Sequence, residues 1–310
     1  MLVAALVLGV SGCHGGGGPA PSPDSSSPSL SASVSPSVPG AHVLAVKIDN
    51  VGPARPQTGL DRADLVYIEP VESGLSRILA LYSSQVPPII GPVRSARETD
   101  LELLRQFDEP TLAFSGAQSK LLPVIDAAPV YTLSPGRAPQ AYFRGQDRAA
   151  PHNLYLRPER TKRDIPGVNA SQYAGLRFGP PPPGGRPTAE YSVRYPAARF
   201  GFTWSPSRQQ WLVAMDGSAS STPTGRQLGA ATVVIQYVTV RPSRFHDRSG
   251  NASPYTETVG SGTALVLRDG SAYEAGWNRG TATSGTAFTT PAGRPMAFAP
   301  GQTWIVYVSR

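Results

Sequence analysis

The sequence predicts an α+β protein in which an N-terminal α/β domain with a mixed sheet is followed by a mainly antiparallel β domain. Between residues 41 and 178, short apolar runs alternate with turn-rich and helix-forming segments. This alternation is typical of a sheet covered by helices. After residue 185, apolar and polar residues alternate with a period of two, which indicates antiparallel strands.

Composition divides the 310 residues into five segments. These are a lipoprotein signal segment (1–13), a Gly/Ser/Pro tether (14–40), the α/β domain (41–178), a Pro/Gly linker (179–185) and the β-rich domain (186–310). We expect the tether to be disordered, because it has too little apolar content to offset the entropy lost on ordering.

The start of the chain indicates export and lipid attachment. Residues 2–10 are apolar, and Val10-Ser11-Gly12-Cys13 matches a bacterial lipobox. The run is too short to span a bilayer but suits the core of a signal peptide. Cys13 is the single cysteine, so we predict palmitate-bearing lipidation there and attachment to the extracytoplasmic face of the cell membrane. The alternative is a chance cysteine beside an apolar run.

Four apolar runs predict strands in the α/β domain, at residues 43–48, 65–68, 78–82 and 111–114. Ser95 and Glu98 have the spacing of a capping box, which predicts a helix from there to about Phe107. A second helix is predicted over residues 118–125.

The predicted helix start carries Arg94 and Arg97. Two guanidinium groups beside unpaired backbone N–H groups would form an anion site. The alternative is that one or both arginines pair with carboxylates of the same domain, for which the candidates are Asp49, Asp64, Glu69 and Glu72.

Polar residues at strand ends usually line the crevice of such a sheet. The candidate ligand-binding residues are therefore Asp49, Asn50, Glu69, Glu72, Arg77, Arg94, Arg97, His152 and Asn153, with Ser115 in the same neighbourhood. His152 has the chemistry of a general base near neutral pH. It would equally serve to hold two loops together.

Several classes of function are not expected. The four histidines are scattered and show no metal-ligand spacing. A divalent ion held by the carboxylates of Asp49, Asp64, Glu69 and Glu72 is an alternative that no recognised metal-binding loop supports. Neither a P-loop nor a dinucleotide fingerprint is present, and no cofactor is predicted. The net charge of +7 would attract anionic lipid headgroups or wall polymers, but the basic residues do not form a nucleic-acid-binding module.

The β-rich domain has alternating runs at residues 189–194, 210–213, 232–240, 263–267 and 303–308. Asp216-Gly217 and Asp269-Gly270 predict hairpin turns. Its four tryptophans, at positions 204, 211, 277 and 304, are interpreted either as core residues or as stacking surfaces for sugars. Residues 244–247 lie on a predicted loop and are a candidate contribution to a site between the domains.

Ordered motifs along the chain resemble the YerB-like bacterial lipoproteins, domain of unknown function 3048. The similar segments include residues 46–50, 54–57, 77–80, 91–97 and 151–153. The resemblance implies a surface lipoprotein with an N-terminal and a C-terminal domain, and it implies no reaction. One difference is that Glu69-Pro70-Val71-Glu72-Ser73 lacks a glycine that the family more often has. Residues 62–64 and 94–97 are also similar, in outline only, to wall-polymer ligases of the LytR–CpsA–Psr type, which hold a polyprenyl pyrophosphate.

Three functional hypotheses remain open. The first is an envelope lipoprotein that binds an anionic polymer or a polyprenyl phosphate, or acts as an accessory protein. The second is a hydrolase or transferase acting on phosphate-bearing or glycan cell-wall substrates. The third is a structural protein whose arginines and acids form an internal network while its surface contacts an envelope protein.

Overall fold

The computed structural model describes residues 43–161, 170–247 and 250–310. All of these residues belong to one compact unit. The signal segment, the tether and Cys13 lie outside the described residues. No helix within the described ranges is both long enough and apolar enough to cross a membrane.

The first half of the chain forms short strands and helices. The strands are β1 (Leu44–Ile48), β2 (Leu65–Pro70), β3 (Ser76–Tyr82), β4 (Thr111–Ala113), β5 (Tyr131–Leu133), β6 (Tyr142–Arg144), β7 (Leu154–Leu156) and β8 (Arg177–Phe178). The α-helices are α1 (Glu98–Leu104), α2 (Leu122–Ala127) and α3 (Ala170–Tyr173). Short 3₁₀ helices are Gly52–Ala54, Leu60–Arg62, Glu72–Gly74, Pro139–Ala141 and Pro158–Arg160.

The second half is built from longer strands. They are β9 (Arg186–Pro187), β10 (Glu190–Tyr195), β11 (Ala198–Ser205), β12 (Gln210–Met215), β13 (Ser218–Ala219), β14 (Gly229–Ala230), β15 (Thr232–Val238), β16 (Val240–His246), β17 (Ala252–Thr256), β18 (Gly260–Arg268), β19 (Ser271–Arg279), β20 (Ala287–Thr289), β21 (Ala297–Phe298) and β22 (Thr303–Ser309).

One mixed sheet runs through the body in the order β20-β19-β18-β15-β22-β2-β3-β1-β4-β5, with β9 paired to β19. The predicted mixed sheet is therefore confirmed. The last strand, β22, lies parallel to β2 on one side and to β15 on the other. Strands from both sides of the 179–185 break consequently pair within the same sheet.

A smaller antiparallel sheet in the order β10-β11-β12-β13, with β14 on β12, packs against one face of the mixed sheet. Phe200, Phe202 and Trp211 of this sheet share a buried cluster with Trp304 of β22. Trp211 and Trp304 are fully buried, so these two rings supply core area and are closed to sugars. Trp277 is also buried, on the other face.

The two Asp-Gly turns have the predicted form. Asp216 and Gly217 join β12 to β13 with φ angles of 52° and 83°, and Asp269 and Gly270 join β18 to β19 with φ angles of 49° and 70°. Two successive positive φ values are characteristic of a type I′ turn, which asparagine, aspartate and glycine tolerate best.

The predicted capping box at Ser95 and Glu98 is wrong. The Ala96 N–H donates to the Gly116 carbonyl at 3.0 Å, and the Ser115 N–H donates to the Arg94 carbonyl at 3.0 Å. This pairing holds the chain extended, so α1 begins only at Glu98. The Asp100 carboxylate then accepts the Arg97 N–H at 2.6 Å, which stabilises the first turn in place of the predicted glutamate.

Both predicted helices also have different bounds. The first ends at Leu104 and continues to Phe107 only as a turn, with the Phe107 N–H donating to the Leu104 carbonyl. The second begins at Leu122, with a proline in its first turn. Proline is well suited to that position because its missing N–H would be unpaired there anyway.

Candidate functional site

A cavity of about 700 Å³ opens beside the start of α1. Its walls come from residues 94–98 before and at the start of α1, residues 115–118 after β4, and residues 245–247 and 253 of the β16–β17 hairpin. The ionisable side chains in the lining are Glu72, Arg77, Arg94, Arg97, Glu98, Arg144, His246 and Asp247. Cavities that hold small molecules commonly have volumes of about 300–1,000 Å³.

Arg97 is paired with Glu72 through two parallel hydrogen bonds. Nε donates to Oε1 at 2.7 Å and Nη2 donates to Oε2 at 2.6 Å. The side chains are only 13% and 7% exposed. Burial acts to raise the pKa of Glu72, but the hydrogen bonds and charge of Arg97 overcome it and the pKa is lowered. For Arg97, this geometry favours the interpretation as an internal pair.

Arg94 differs from Arg97 because most of its guanidinium is uncommitted. Its Nε lies 3.1 Å from Asp49 Oδ2, without the alignment of a hydrogen bond. The two terminal amines make no hydrogen bond with any residue in the described ranges, and the side chain is 27% exposed. Arg94 therefore brings two free charge-bearing donors to the cavity wall.

His152 contacts the same carboxylate. Its Nδ1 lies 2.8 Å from Asp49 Oδ2, and Asp49 is buried while His152 is partly exposed. Because an ionised carboxylate can only accept hydrogen bonds, Nδ1 carries the proton. The other ring nitrogen, Nε2, makes no hydrogen bond with a described residue. Neither His152 nor Asp49 lines the cavity, although Pro151, next to His152, does.

Arg77 lies on β3 beneath the same segment. Its Nη1 donates to the Ser95 carbonyl at 3.1 Å, and no described carboxylate forms an ion pair with it. Burial lowers the pKa of Arg77 to about 9, with the positive charges of Arg97 and Arg94 adding to the effect. The side chain still carries its charge at neutral pH, and that charge is only partly compensated.

Glu69 does not line the cavity. It is buried with Lys47 and Asp100, where Lys47 Nζ donates to both carboxylates and lies 2.7 Å from Asp100. Burial raises the pKa of Glu69 to about 8, an effect that Lys47 opposes and Asp100 reinforces. Lys47 was not among the predicted site residues. A lysine in an otherwise apolar strand nevertheless indicates a buried carboxylate partner.

Asn50 and Asn153 connect loops and do not line the cavity. Asn50 donates to Ser76 Oγ at 2.9 Å and accepts from Gln57 Nε2 at 3.0 Å. Asn153 accepts from Arg144 Nη1 at 2.7 Å and donates to the Gly145 carbonyl at 2.8 Å.

The hairpin of β16 and β17 is hydrogen-bonded to α1 and to Glu72, which the sequence alone did not predict. Ser253 donates to Glu72 and Ser243 donates to Glu98, while Tyr255 donates to Glu102 at 2.6 Å. Single serines and tyrosines in a strand give no signal of such distant partners. The suggestion that residues 244–247 contribute to a site is supported to the extent that residues 245–247 lie in the cavity lining.

Of the four candidate carboxylate partners, Asp49 and Glu72 contact the arginines, and the other two have different roles. Asp64 accepts from the Ser83 and Ser84 N–H groups at 2.6 and 3.0 Å. In the described ranges, no group of three or more His, Cys, Asp or Glu residues is placed to hold a metal ion.

Two family models match the chain. The model described as Protein of unknown function (DUF3048) N-terminal domain matches residues 31–171, and the model of the corresponding C-terminal domain matches residues 191–305. The chain belongs to the DUF3048 family. The resemblance inferred from the motifs is therefore confirmed.

Relatives of this DUF3048 chain include a Bacillus subtilis (strain 168) protein named "Putative lipoprotein YerB". The two are 25% identical over 272 residues, which cover 84% of this chain and 80% of the relative. A crystal structure of YerB from Bacillus subtilis is similar in fold, with a TM-score of 0.70 and 22% identity over 86% of this chain and 91% of the other.

Proposed function

We propose that this DUF3048 chain is a lipid-anchored lipoprotein of the cell envelope that binds an anionic ligand in the cavity beside Arg94. The observation that carries the proposal is the state of the Arg94 guanidinium. Its two terminal amines border a cavity of about 700 Å³ and bond to no described residue. Two donors in a fixed planar fork match the oxygens of a phosphate or carboxylate.

The surrounding charges support an anion over a cation. Arg97 and Glu72 neutralise one another, and Arg94 shares Asp49 with His152. Arg77 adds a cationic group without a carboxylate of its own. Glu98, Asp247 and Arg144 also line the cavity, so the case for an anion rests on the two free amines of Arg94 and on Arg77, which forms no ion pair with a described carboxylate.

Lipid attachment is supported by the lipobox ending at Cys13 and by the name of the Bacillus subtilis relative, a lipoprotein. Palmitate at Cys13 would hold the body at the extracytoplasmic face of the membrane. Replacing Cys13 with alanine should abolish labelling with radioactive palmitate in cells, and labelling that persists would contradict the proposal.

The ligand site is tested by calorimetric titration of the full chain with inorganic pyrophosphate. Arg94→Ala should weaken binding by roughly 10- to 100-fold, the range expected when charge-assisted hydrogen bonds are lost. Arg194→Ala is the matched control, since Arg194 is an exposed arginine outside the cavity lining. Equal affinity of the Arg94 variant and the unchanged chain would refute the site.

A second candidate function is hydrolysis or group transfer on a phosphate-bearing or glycan wall substrate. The specific observation in its favour is the contact of His152 with the buried Asp49, which orients the imidazole and leaves Nε2 to act as a base. His152→Gln should then abolish turnover of the substrate while leaving pyrophosphate affinity within about threefold. A variant that keeps full turnover would exclude this function.

A further inference from the structure

The cavity beside Arg94 combines its cationic end with apolar walls. The apolar lining includes Ala117, Leu121, Pro135, Pro151, Leu154 and Phe245. Leu121, Leu154 and Phe245 are each less than a tenth exposed and belong to the two buried clusters of the body. Ala117, Pro135 and Pro151 instead keep part of their surface open, and a small hydrophilic anion bound at Arg94 would leave these three side chains in contact with water.

Each carboxylate of the lining already accepts a hydrogen bond from the protein. Glu72 accepts from Arg97 and Ser253, Glu98 accepts from Ser243, and Asp247 accepts the Asn251 N–H at 2.9 Å. A glycan presents many hydroxyl donors, each of which needs an acceptor when it is buried. The lining combines the two free amines of Arg94 with partly exposed apolar side chains, a combination that matches an anionic head on an apolar chain more closely than a row of hydroxyl groups.

We propose that the ligand of this cavity is an amphiphilic phosphate, a phosphate monoester whose single apolar chain lies along Ala117, Pro135 and Pro151 while its oxygens contact Arg94. This inference rests on the proposed anion site and narrows its ligand class. The phosphate supplies a negative charge next to the Arg94 guanidinium. The alkyl chain displaces water from the apolar side chains of the lining.

The test is a calorimetric titration with methyl, butyl and octyl phosphate below their micellar concentrations. The protein is the full chain carrying Cys13→Ser, so that no lipid is attached. Each methylene that enters the cavity should tighten binding by up to about fourfold. Octyl phosphate should therefore bind roughly 10- to 200-fold more tightly than butyl phosphate. Farnesyl phosphate compared with dodecyl phosphate distinguishes a branched prenyl chain from a linear alkyl chain, and tighter binding of either supports the class.

Two variants test the contact with the phosphate and the contact with the alkyl group separately. Arg94→Ala should weaken all three phosphates by a similar factor. Ala117→Asp should instead remove most of the dependence on chain length, whereas Ala127→Asp, at an exposed position outside the lining, should preserve it. If Ala117→Asp lowers the melting temperature sharply, Pro135→Asp replaces it.

The outcomes distinguish this inference from the proposed function. Equal affinities for methyl and octyl phosphate would overturn the amphiphilic ligand and leave the anion site standing. Octyl glucoside binding as tightly as octyl phosphate would overturn the requirement for a phosphate. If pyrophosphate and all three alkyl phosphates failed to bind, the anion site itself would be refuted.

Discussion

The buried pair of Arg97 and Glu72 makes a prediction that separates its structural role from a role in ligand binding. Arg97→Met keeps much of the aliphatic volume but leaves Glu72 buried without its cation. Breaking a buried pair by removing one partner costs about 3–5 kcal/mol. Both side chains retain slight exposure and Ser253 still donates to Glu72, so we expect the lower end, about 3 kcal/mol.

The measurement is the free energy of unfolding from urea denaturation, supported by thermal melting. For a folded body of this size, about 3 kcal/mol corresponds to a fall in Tm of roughly 6–12 °C. Glu72→Gln should destabilise by a comparable amount because Arg97 is then the unpaired charge. The double variant should lose less than the sum of the single losses, with a coupling free energy of at least about 1 kcal/mol.

Arg137 and Asp126 provide a matched control within the chain. Their Nη2 and Oδ1 atoms are also 2.6 Å apart, but the side chains are 53% and 49% exposed. Arg137→Met should therefore cost only about 0–1 kcal/mol. The reasoning is refuted if Arg97→Met is as mild as Arg137→Met, or if it abolishes pyrophosphate binding while stability is unchanged.

Two further predictions concern the interior. The free energy of unfolding should fall as the pH rises from about 4.5 to about 8. Burial raises the pKa of Glu69 in the folded state, so in this range the folded protein holds a proton that the unfolded chain has released. Glu69→Gln should flatten this dependence in urea titrations, and an unchanged slope would contradict it. Tyr255→Phe should cost about 1.5 kcal/mol by removing the hydrogen bond to Glu102. Tyr273 is the control, because it is also 8% exposed but forms no hydrogen bond to a described residue. Tyr273→Phe should change the free energy of unfolding by less than about 0.5 kcal/mol. Equal losses for the two tyrosine variants would refute the role given to the Tyr255 hydrogen bond.

Patterns that operate over a few residues predicted much of the fold. The apolar runs marked β1, β2 and β3, and the Asp-Gly dipeptides marked two hairpin turns. The capping box predicted at Ser95 and Glu98 was wrong because the same residue pattern is compatible with an extended backbone. Its neighbours Arg94 and Ala96 pair with residues 115–116, and that competing partner lies too far along the chain to be recognised locally.

The candidate site shows the same division between local and distant information. Arg94 and Arg97 were recognised from their position, but sequence could not say which arginine is paired. That outcome depends on Glu72, which is 25 residues away from Arg97, and on a serine of the hairpin 181 residues from Glu72. Likewise, β22 pairs with β2 across most of the chain, and no local pattern encodes such a contact.

The paired arginine and the free arginine have connected roles. Arg97 donates to the Ala96 carbonyl at 3.0 Å and Arg77 donates to the Ser95 carbonyl at 3.1 Å, so two guanidinium groups hold the backbone that carries Arg94. The Arg94 N–H in turn donates to the Lys47 carbonyl at 2.7 Å. A donor on a backbone fixed at these points loses little conformational entropy when a ligand binds. The internal pairs that argue against Arg97 as a ligand residue therefore strengthen the case for Arg94.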